Sequence, residues 1–354
     1  MSVTSATLNA LADALEGRRA RGDAAALRRM LGADATLVPL LRAAPPIRRM
    51  FALAAPDAPG LCVWGAEVAL GSRLVFATGS GTTQRDAFAS CLGEALERAA
   101  ILAPAPAMRT STCPAWRARI PGMPARVPAQ GGVPIDLIWR RDNPAFPPPW
   151  PLSAGCAAGR DEADAALRAS LELLERDALA RWWWGETTPA PLTLDDSAEA
   201  AATLVTLRAG STARRTWLLV ITPPARPPVV IAASADAQGG QVTLGFACRL
   251  QAPAAARAAV LEMAQMELAL HLVRHKTAVL NPADYAHLAR AKCLRAAMPG
   301  LVAQGPPRPR STPSIPPMRH ITLRAGTPAV VRALSPALFH PDERPGLADC
   351  SLLW

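Results

Sequence analysis

The chain has 354 residues, of which 50% are hydrophobic and 19% are charged, and its formal net charge at pH 7 is +10. This composition is typical of a folded globular protein and excludes a disordered one. The 7 cysteines are scattered and include no Cys-x-x-Cys pair, which argues against a disulfide framework and a cysteine zinc site. No signal peptide, bilayer-length apolar run or nucleic-acid module is readable. We therefore expect a soluble, cytoplasmic protein that binds neither a membrane nor a nucleic acid.

The first part of the chain is predicted to be helical and then to change to short strands. Residues 8–31 carry an amphipathic pattern of Ala, Leu and Arg that predicts one or two helices, and two prolines at 45–46 end this region. We expect residues 1–45 to form a helical extension and residues 46–354 to form one domain. Short β-type runs follow at positions 61–64 and 74–76.

A turn and a long helix are predicted next. The small residues at 78–82 indicate a turn, and the apolar period that follows predicts a helix to about Leu102. Residues 109–151 are dense in proline, with one predicted strand at 135–139 and a stiff connector at 147–151.

The second half of the chain mixes strands and helices without strict βαβ alternation. A glycine-bearing loop at 153–159 leads into a second long helix at 162–184, which ends in three tryptophans that we expect in the core. Strands are predicted at 216–221, 229–233, 242–246 and 329–333, and a third long helix at 254–275. This order predicts an α+β fold in which mixed β-sheets pack with long helices.

Two of these helices carry the same acidic pattern. They read Ser90-Cys-Leu-Gly-Glu94-Ala-Leu-Glu97-Arg98 and Ser170-Leu-Glu172-Leu-Leu-Glu175-Arg176-Asp177. Each pattern places two glutamates and an arginine on one helical sector, away from apolar stripes that include Phe88, Leu92 and Leu96 in the first helix and Leu167, Leu171, Leu174 and Ala178 in the second. Glutamates spaced in this way repel by a few tenths of a kcal/mol. A Mg²⁺ ion that also binds phosphate oxygens can be coordinated by both glutamates, which removes that repulsion.

The pattern therefore predicts a nucleotide and metal site between acidic helices, although the chain has no Gly-x-x-x-x-Gly-Lys-Ser/Thr phosphate loop. A glycine-bearing segment precedes each helix, where backbone N–H groups could meet phosphate. Glu262 and Gln265 on the third helix are candidates for the same site. The alternative is that all these faces are solvated and carry only intrahelical ion pairs. His271 and His275 have metal-ligand spacing, but without a third ligand nearby we expect structural or surface roles.

Together these residues resemble the YcaO family. Three motifs occur in family order, the first being Gly79-Ser-Gly81 followed by Ala87-Phe-Ala-Ser90-Cys-Leu-Gly-Glu94-Ala-Leu-Glu97-Arg98. The second is Ser153-Ala-Gly-Cys-Ala-Ala-Gly159 followed by Leu171-Glu172-Leu-Leu-Glu175-Arg176-Asp177-Ala178, and the third is Ala258-Ala-Val-Leu-Glu262-Met-Ala-Gln265. The resemblance covers about residues 45–335.

The resemblance implies a YcaO-type α+β fold that binds ATP and Mg²⁺ between its acidic helices. By motif position it assigns nucleotide binding to Ser90, Glu94, Glu97, Arg98, Arg160, Asp164, Glu172, Glu175, Arg176 and Gln265. It assigns metal binding to Glu94, Glu97, Glu172, Glu175 and Glu262. The chain departs from the family pattern at Arg160, where a small polar residue is usual, and at Asp164, which replaces a glutamate and has a shorter reach.

The resemblance also implies an enzyme, namely an ATP-dependent cyclodehydratase. Such an enzyme would convert Cys, Ser or Thr of a ribosomally made precursor peptide to thiazoline or oxazoline by phosphorylating the amide oxygen. The expected partners are the precursor peptide, a leader-binding adaptor and, optionally, a flavin dehydrogenase, in a homodimer or a hetero-complex. The alternatives are a thioamide- or amidine-forming enzyme and a degenerate subunit that binds peptide without turnover. The C-terminal residues 340–354 lack the alternating prolines of many azoline-forming relatives, so the catalytic base is not predicted.

Overall fold

A computed structural model of the chain describes residues 37–120, 122–146, 153–222, 225–304 and 314–338. The predicted helices at 8–31, the prolines at 147–151 and the C-terminal tail lie outside the described residues. The chain divides into two compact units. Unit 1 comprises Met1–Leu53, Val63–Leu173 and Pro317–His340, and unit 2 comprises Ala54–Cys62, Leu174–Pro316 and Pro341–Trp354.

Helices and strands alternate irregularly along the described chain. The helices are α1 (Val38–Ala43), α2 (Gln84–Leu102), α3 (Pro114–Arg117), α4 (Glu162–Trp183), α5 (Ala198–Arg208), α6 (Ala252–Arg274) and α7 (Pro282–Cys293). The strands are β1 (Ile47–Leu53), β2 (Cys62–Leu70), β3 (Arg73–Gly81), β4 (Thr110–Ser111), β5 (Val127–Gln130), β6 (Val133–Pro134), β7 (Cys156–Gly159), β8 (Ala190–Leu192), β9 (Arg215–Val220), β10 (Val229–Ala235), β11 (Thr243–Cys248), β12 (Arg319–Arg324) and β13 (Ala329–Leu334). Single 3₁₀ turns occur at Ile135–Leu137 and Pro299–Leu301.

Unit 1 contains three small sheets, with strand orders β1-β2-β3, β4-β5-β6 and β12-β13-β7. Helix α2 begins after Thr83, whose hydroxyl accepts the N–H of Asp86 at 3.1 Å, and it packs on β3. The packing is very close, since a Cβ added at Gly79 would lie 2.0 Å from the backbone nitrogen of Cys91. Gly79 therefore lets the strand and the helix backbone touch.

The sheet of β12, β13 and β7 has two different faces. Antiparallel pairing sets Arg332 opposite Cys156 and Val330 opposite Ala158. On one face, Cys156 and Val330 pack with an apolar group from α2, namely Leu96, Ala100 and Ile101. The other face is closed by packing among Ala329, Val331 and Ala165. Helix α2 therefore covers the face of this sheet that carries Cys156 and Val330.

Unit 2 contains one antiparallel sheet, with strand order β11-β10-β9-β8, and α6 packs on β10 and β11. The core includes a buried ion pair, in which both Nη atoms of Arg208 donate to the Glu267 carboxylate at 2.7 and 2.8 Å. Arg214 lies 3.1 Å from the same carboxylate, and the Ser234 hydroxyl donates to it. These bonds satisfy a charge that would otherwise be costly to bury, and they tie α5 and the sheet to α6.

The predictions of which apolar side chains are buried are largely confirmed. Trp182 and Trp183 are in the core, and the Trp182 indole N–H donates to the Gly300 carbonyl at 2.9 Å. Leu167 is an exception, since it is 36% exposed rather than part of the buried stripe. His271 and His275 stack with ring centroids 4.2 Å apart and lie at the end of α6, as a surface role predicts. Among the described helices, none combines the length and the apolar character that a membrane span requires.

Three local predictions are wrong, each for a steric or hydrogen-bonding reason. The predicted turn at 78–82 is mostly the end of strand β3, because its glycines serve close helix packing instead of chain reversal. The predicted loop at 153–159 contains strand β7 for the same reason. The predicted strand at 135–139 is a 3₁₀ turn, in which the buried Asp136 carboxylate accepts from Arg141 and from the Ala145 N–H.

Candidate functional site

In unit 1, Glu94 is fixed by the strand beside it. Its Oε2 accepts the backbone N–H of Thr78 at 2.7 Å and the Thr78 hydroxyl at 3.2 Å. Its Oε1 accepts the Nε of Arg98 at 2.9 Å, from one turn further along α2. The motif residues Glu94 and Arg98 thus form one ordered pair at the edge of β3.

Glu97 is held by a different strand. Its Oε1 accepts the backbone N–H of Ala158 on β7 at 2.7 Å. Burial, and then the negative charge of Glu172, raise the Glu97 pKa to about 8, against the lowering effect of the Ala158 N–H. Glu97 and Glu172 are both partly buried, and the negative charge of Glu172 opposes ionisation of Glu97, so a cation would be attracted to the pair. We call Glu94, Glu97 and Glu172 the unit 1 carboxylates.

In unit 2, two further glutamates are held by one strand. Glu175 on α4 accepts the backbone N–H of Cys248 at 3.0 Å, and Glu262 on α6 accepts that of Phe246 at 2.8 Å. Burial raises the pKa of Glu175, opposed by the charges of Arg176 and Arg249. Burial and the charge of Glu175 raise the Glu262 pKa to about 7. We call Glu175 and Glu262 the unit 2 carboxylates.

Two arginines flank the unit 2 carboxylates. Nη1 of Arg176 lies 3.5 Å from Oε1 of Glu175. Arg249, directly after β11, donates from Nη1 to the carbonyl of Cys248 at 2.7 Å. Residue 248 therefore holds a carboxylate through its N–H and a guanidinium through its carbonyl. Sequence reasoning missed Arg249, which lies three residues beyond the strand predicted at 242–246 and directly follows the observed strand β11.

The remaining predicted residues are more peripheral. Arg160 has an 85% exposed side chain, and its Nε lies 3.5 Å from Oδ2 of Asp164, which also accepts the Arg160 backbone N–H at 3.0 Å. Burial opposes ionisation of Asp164, but this N–H and Arg168 outweigh it and lower the Asp164 pKa. Ser90 is exposed on α2, and Gln265 is half-buried on α6.

The donor set suits a hard cation that also binds phosphate. Mg²⁺ takes oxygen ligands and is usually held by one or two carboxylates together with substrate phosphates and water. Within the described ranges, no three His, Cys, Asp or Glu side chains converge on one metal position. In each unit, partly or fully buried carboxylates with raised pKa values fit such an ion, and nearby arginines fit the phosphates.

Sequence comparison identifies the family. A family model described as YcaO cyclodehydratase, ATP- and Mg²⁺-binding, matches residues 129–337, which is more than half of the chain. The chain belongs to the YcaO family. It therefore contains the ATP- and Mg²⁺-binding domain of that family. No curated protein matches the chain.

Solved YcaO structures share the fold. A heterocyclase in complex with substrate and cofactor superposes with a TM-score of 0.68 at 18% identity, over 86% of this chain and 52% of the other. The chain thus spans about half the length of that heterocyclase. YcaO from Methanopyrus kandleri, bound with AMPPCP and Mg²⁺, gives a TM-score of 0.56 at 18% identity, over 82% and 86% of the two chains. A chain of the E. coli microcin synthetase McbBCD complex gives 0.60 at 13% identity, over 82% and 88%.

Proposed function

We propose that the chain is an ATP-dependent cyclodehydratase that converts Cys, Ser or Thr of a ribosomally made precursor peptide to thiazoline or oxazoline. The observation that carries the proposal is the set of four glutamates, Glu94, Glu97, Glu175 and Glu262, each held by a backbone N–H of a neighbouring strand. Backbone anchoring fixes the carboxylates before any ligand arrives, so little reorganisation is left for the bound state. Family membership supports the same reading.

The chemistry assigned to the protein is positioning and charge neutralisation. In azoline formation the Cys, Ser or Thr side chain loses its proton and attacks the preceding carbonyl, and the resulting oxyanion, which was the amide oxygen, is phosphorylated. Loss of phosphate and of the amide N–H proton then forms the C=N bond of the ring. Bound Mg·ATP supplies the phosphoryl group. The unit 1 carboxylates and, separately, the unit 2 carboxylates would each hold metal, and Arg98, Arg176 and Arg249 would neutralise phosphate oxygens.

The nucleophile belongs to the substrate, so external sulfide or an amine would give a thioamide or an amidine from the same activated amide. We favour azoline formation because the family model carries the cyclodehydratase description.

Partners are part of the proposal. Because one heterocyclase of similar fold is in complex with substrate and another chain of similar fold is part of the McbBCD synthetase complex, we propose that this chain also acts on peptide recruited by an adaptor protein.

The test is Mg²⁺-dependent ATP consumption and product mass with the precursor and the adaptor present. The expected result is loss of one water per modified residue, together with release of phosphate. Glu97→Gln should abolish both, whereas Glu199→Gln, a matched change at an exposed helix position, should preserve them. ATP-independent modification, or none with the full set of partners, would contradict the proposal. Gain of sulfur instead of loss of water would identify the thioamide alternative.

A further inference from the structure

Arg332 is the most unusual charged residue in unit 1. It lies on strand β13 with 0% exposure, and its Nε, Nη1 and Nη2 atoms have no hydrogen-bond partner among the residues that the structure describes. A guanidinium presents five N–H donors, and burying it without partners is costly. A buried charged side chain without hydrogen bonds does not stabilise the fold, so its presence needs another explanation.

The strand register places Arg332 two residues along β13 from the residue opposite Ala158, which holds Glu97. Arg332 lies opposite Cys156, two residues from Val330, so the three side chains share one face of the sheet. That face packs on α2, through Leu96 and its neighbours. On the same face Ala158, opposite Val330, donates its N–H to Glu97. The buried cation therefore lies in the layer where α2 presents its site glutamate to β7.

The charges near Arg332 come from the same group. Burial lowers the Arg332 pKa, while Cys156 and then Glu172 act to raise it, so Glu172 is the carboxylate that interacts with Arg332. Glu172 is also the largest charge acting on Glu97. Glu172 thus interacts electrostatically with both Arg332 and Glu97. Arg332 has no function at the solvent surface, because its side chain is wholly enclosed.

We propose that Arg332 is a positioning residue that acts through Glu172 and Glu97 as the fixed counter-charge of the unit 1 carboxylates. It repels a divalent cation that arrives alone and attracts the phosphates that arrive with it, so metal and nucleotide bind together. The inference rests on the proposed role of these carboxylates in holding Mg²⁺. Fixed charges interact strongly over several ångströms in a poorly solvated interior, so a single buried base is enough for this effect.

The test uses Mn²⁺ as the probe, with the full chain and its adaptor, and measures Mn²⁺ binding by titration with and without AMPPCP. Arg332→Met removes the charge at similar length, and Arg332→Gln removes it while keeping a polar end. Both should bind Mn²⁺ alone about tenfold more tightly than the wild type, because one repulsive charge has gone. Both should also lose most of the increase in Mn²⁺ affinity that AMPPCP causes.

Two controls separate this role from a structural one. Arg332→Lys keeps the charge and should behave as the wild type, and Arg119→Met removes an exposed charge of unit 1 and should change nothing. A merely structural role would weaken Mn²⁺ binding both with and without nucleotide. Unchanged Mn²⁺ affinity in the folded Met and Gln variants would overturn the inference and leave the proposed function standing. Absence of Mn²⁺ binding to the wild type with AMPPCP would overturn both.

Discussion

The backbone N–H of Phe246 donates to the carboxylate of Glu262 at 2.8 Å, across 16 residues of chain. The N–H of Thr78 makes the same bond to Glu94 at 2.7 Å, also across 16 residues. Both donors lie next to a glycine, and a Cβ on either glycine would come within about 2 Å of helix backbone: Gly79 at 2.0 Å from Cys91 N and Gly245 at 2.1 Å from Met263 N. Strand, glycine and acidic helix thus recur as one unit in both halves of the chain.

This repetition differs from the one that the sequence displays. In the sequence, α2 and α4 share an acidic pattern. In the structure, the matching hydrogen bonds belong to α2 and α6. The cause is that an N–H anchor depends on which strand lies against the helix, and helix periodicity carries no information about that strand.

Replacing either Glu94 or Glu175 by Gln should abolish ATP-dependent peptide modification while the protein stays folded. Gln keeps the shape and can still accept the backbone N–H, but it removes one unit of ligand charge. We expect turnover to fall by at least about 100-fold, as when a group that acts only in the transition state is removed. The measurement is phosphate release with precursor and adaptor, and circular dichroism checks the fold. Near wild-type turnover in either variant would remove that residue from the site.

Much of this fold can be predicted from the sequence, because helices α2, α4 and α6 and strands β9, β10, β11 and β13 have clear periodicity. Strand β7 and the end of β3 cannot, since glycine is depleted in strands and reads as a turn. Arg249 and Arg332 cannot be singled out either. Each is one of many arginines, and what distinguishes it is a tertiary neighbour: the Cys248 carbonyl for the first, and the enclosed face of a sheet for the second.

Gly79→Ala should destabilise the protein by about 3 kcal/mol or more, because the new Cβ would lie 2.0 Å from one backbone atom and 2.2 Å from another. Backbone cannot move aside as a side chain can. Gly93 lies on α2, the helix that packs on Gly79, and a Cβ added there has no atom within 4 Å. Gly93→Ala should therefore be neutral or stabilising. Chemical denaturation of the two variants provides the comparison. Equal stability would mean that β3 and α2 are further apart than described.

Arg249→Met should raise the KM for ATP about tenfold, since a guanidinium that bonds a phosphate oxygen contributes on the order of 1–2 kcal/mol. The residue is exposed and anchored beside the unit 2 carboxylates, so a ligand can reach it. Arg257→Met, an equivalent loss of charge at an exposed position of α6, is the matched control. Steady-state ATPase kinetics decide between them. An equal KM for both variants would show that Arg249 faces solvent only.

Arg160 has two predicted roles with opposite signatures. If its guanidinium pairs with a phosphate, Arg160→Ala should raise the KM for ATP; if it excludes a metal, Arg160→Asn should increase ATP consumption. Its 85% exposed side chain and its ion pair with Asp164 at 3.5 Å favour a small effect, within about threefold in either direction. ATPase assays over a range of Mg²⁺ concentrations separate the two. No change in either variant would mean that the residue lies outside the site.

The last prediction concerns the pH dependence of stability in the metal-free protein. Burial, and the charge of Glu172, raise the Glu97 pKa to about 8, above its ordinary value of 4.5. The protonated form is therefore favoured by folding, and this favourable contribution is complete below pH 4.5 and is lost as pH rises through 8. Glutamine cannot ionise, so Glu97→Gln avoids the loss.

The variant should match the wild type below pH 4.5 and become more stable by up to about 5 kcal/mol above pH 8, at about 1.4 kcal/mol for each pH unit between 4.5 and 8. Urea denaturation at several pH values measures the difference, and Glu199→Gln should show no such trend, because its side chain is exposed. Adding Mg²⁺ with AMPPCP should reverse the order, since only the wild type keeps the full set of charged ligands. If the difference in the free energy of unfolding does not change with pH, the pKa of Glu97 is not raised by folding. The unfavourable carboxylate charge that would attract a metal ion would then be absent.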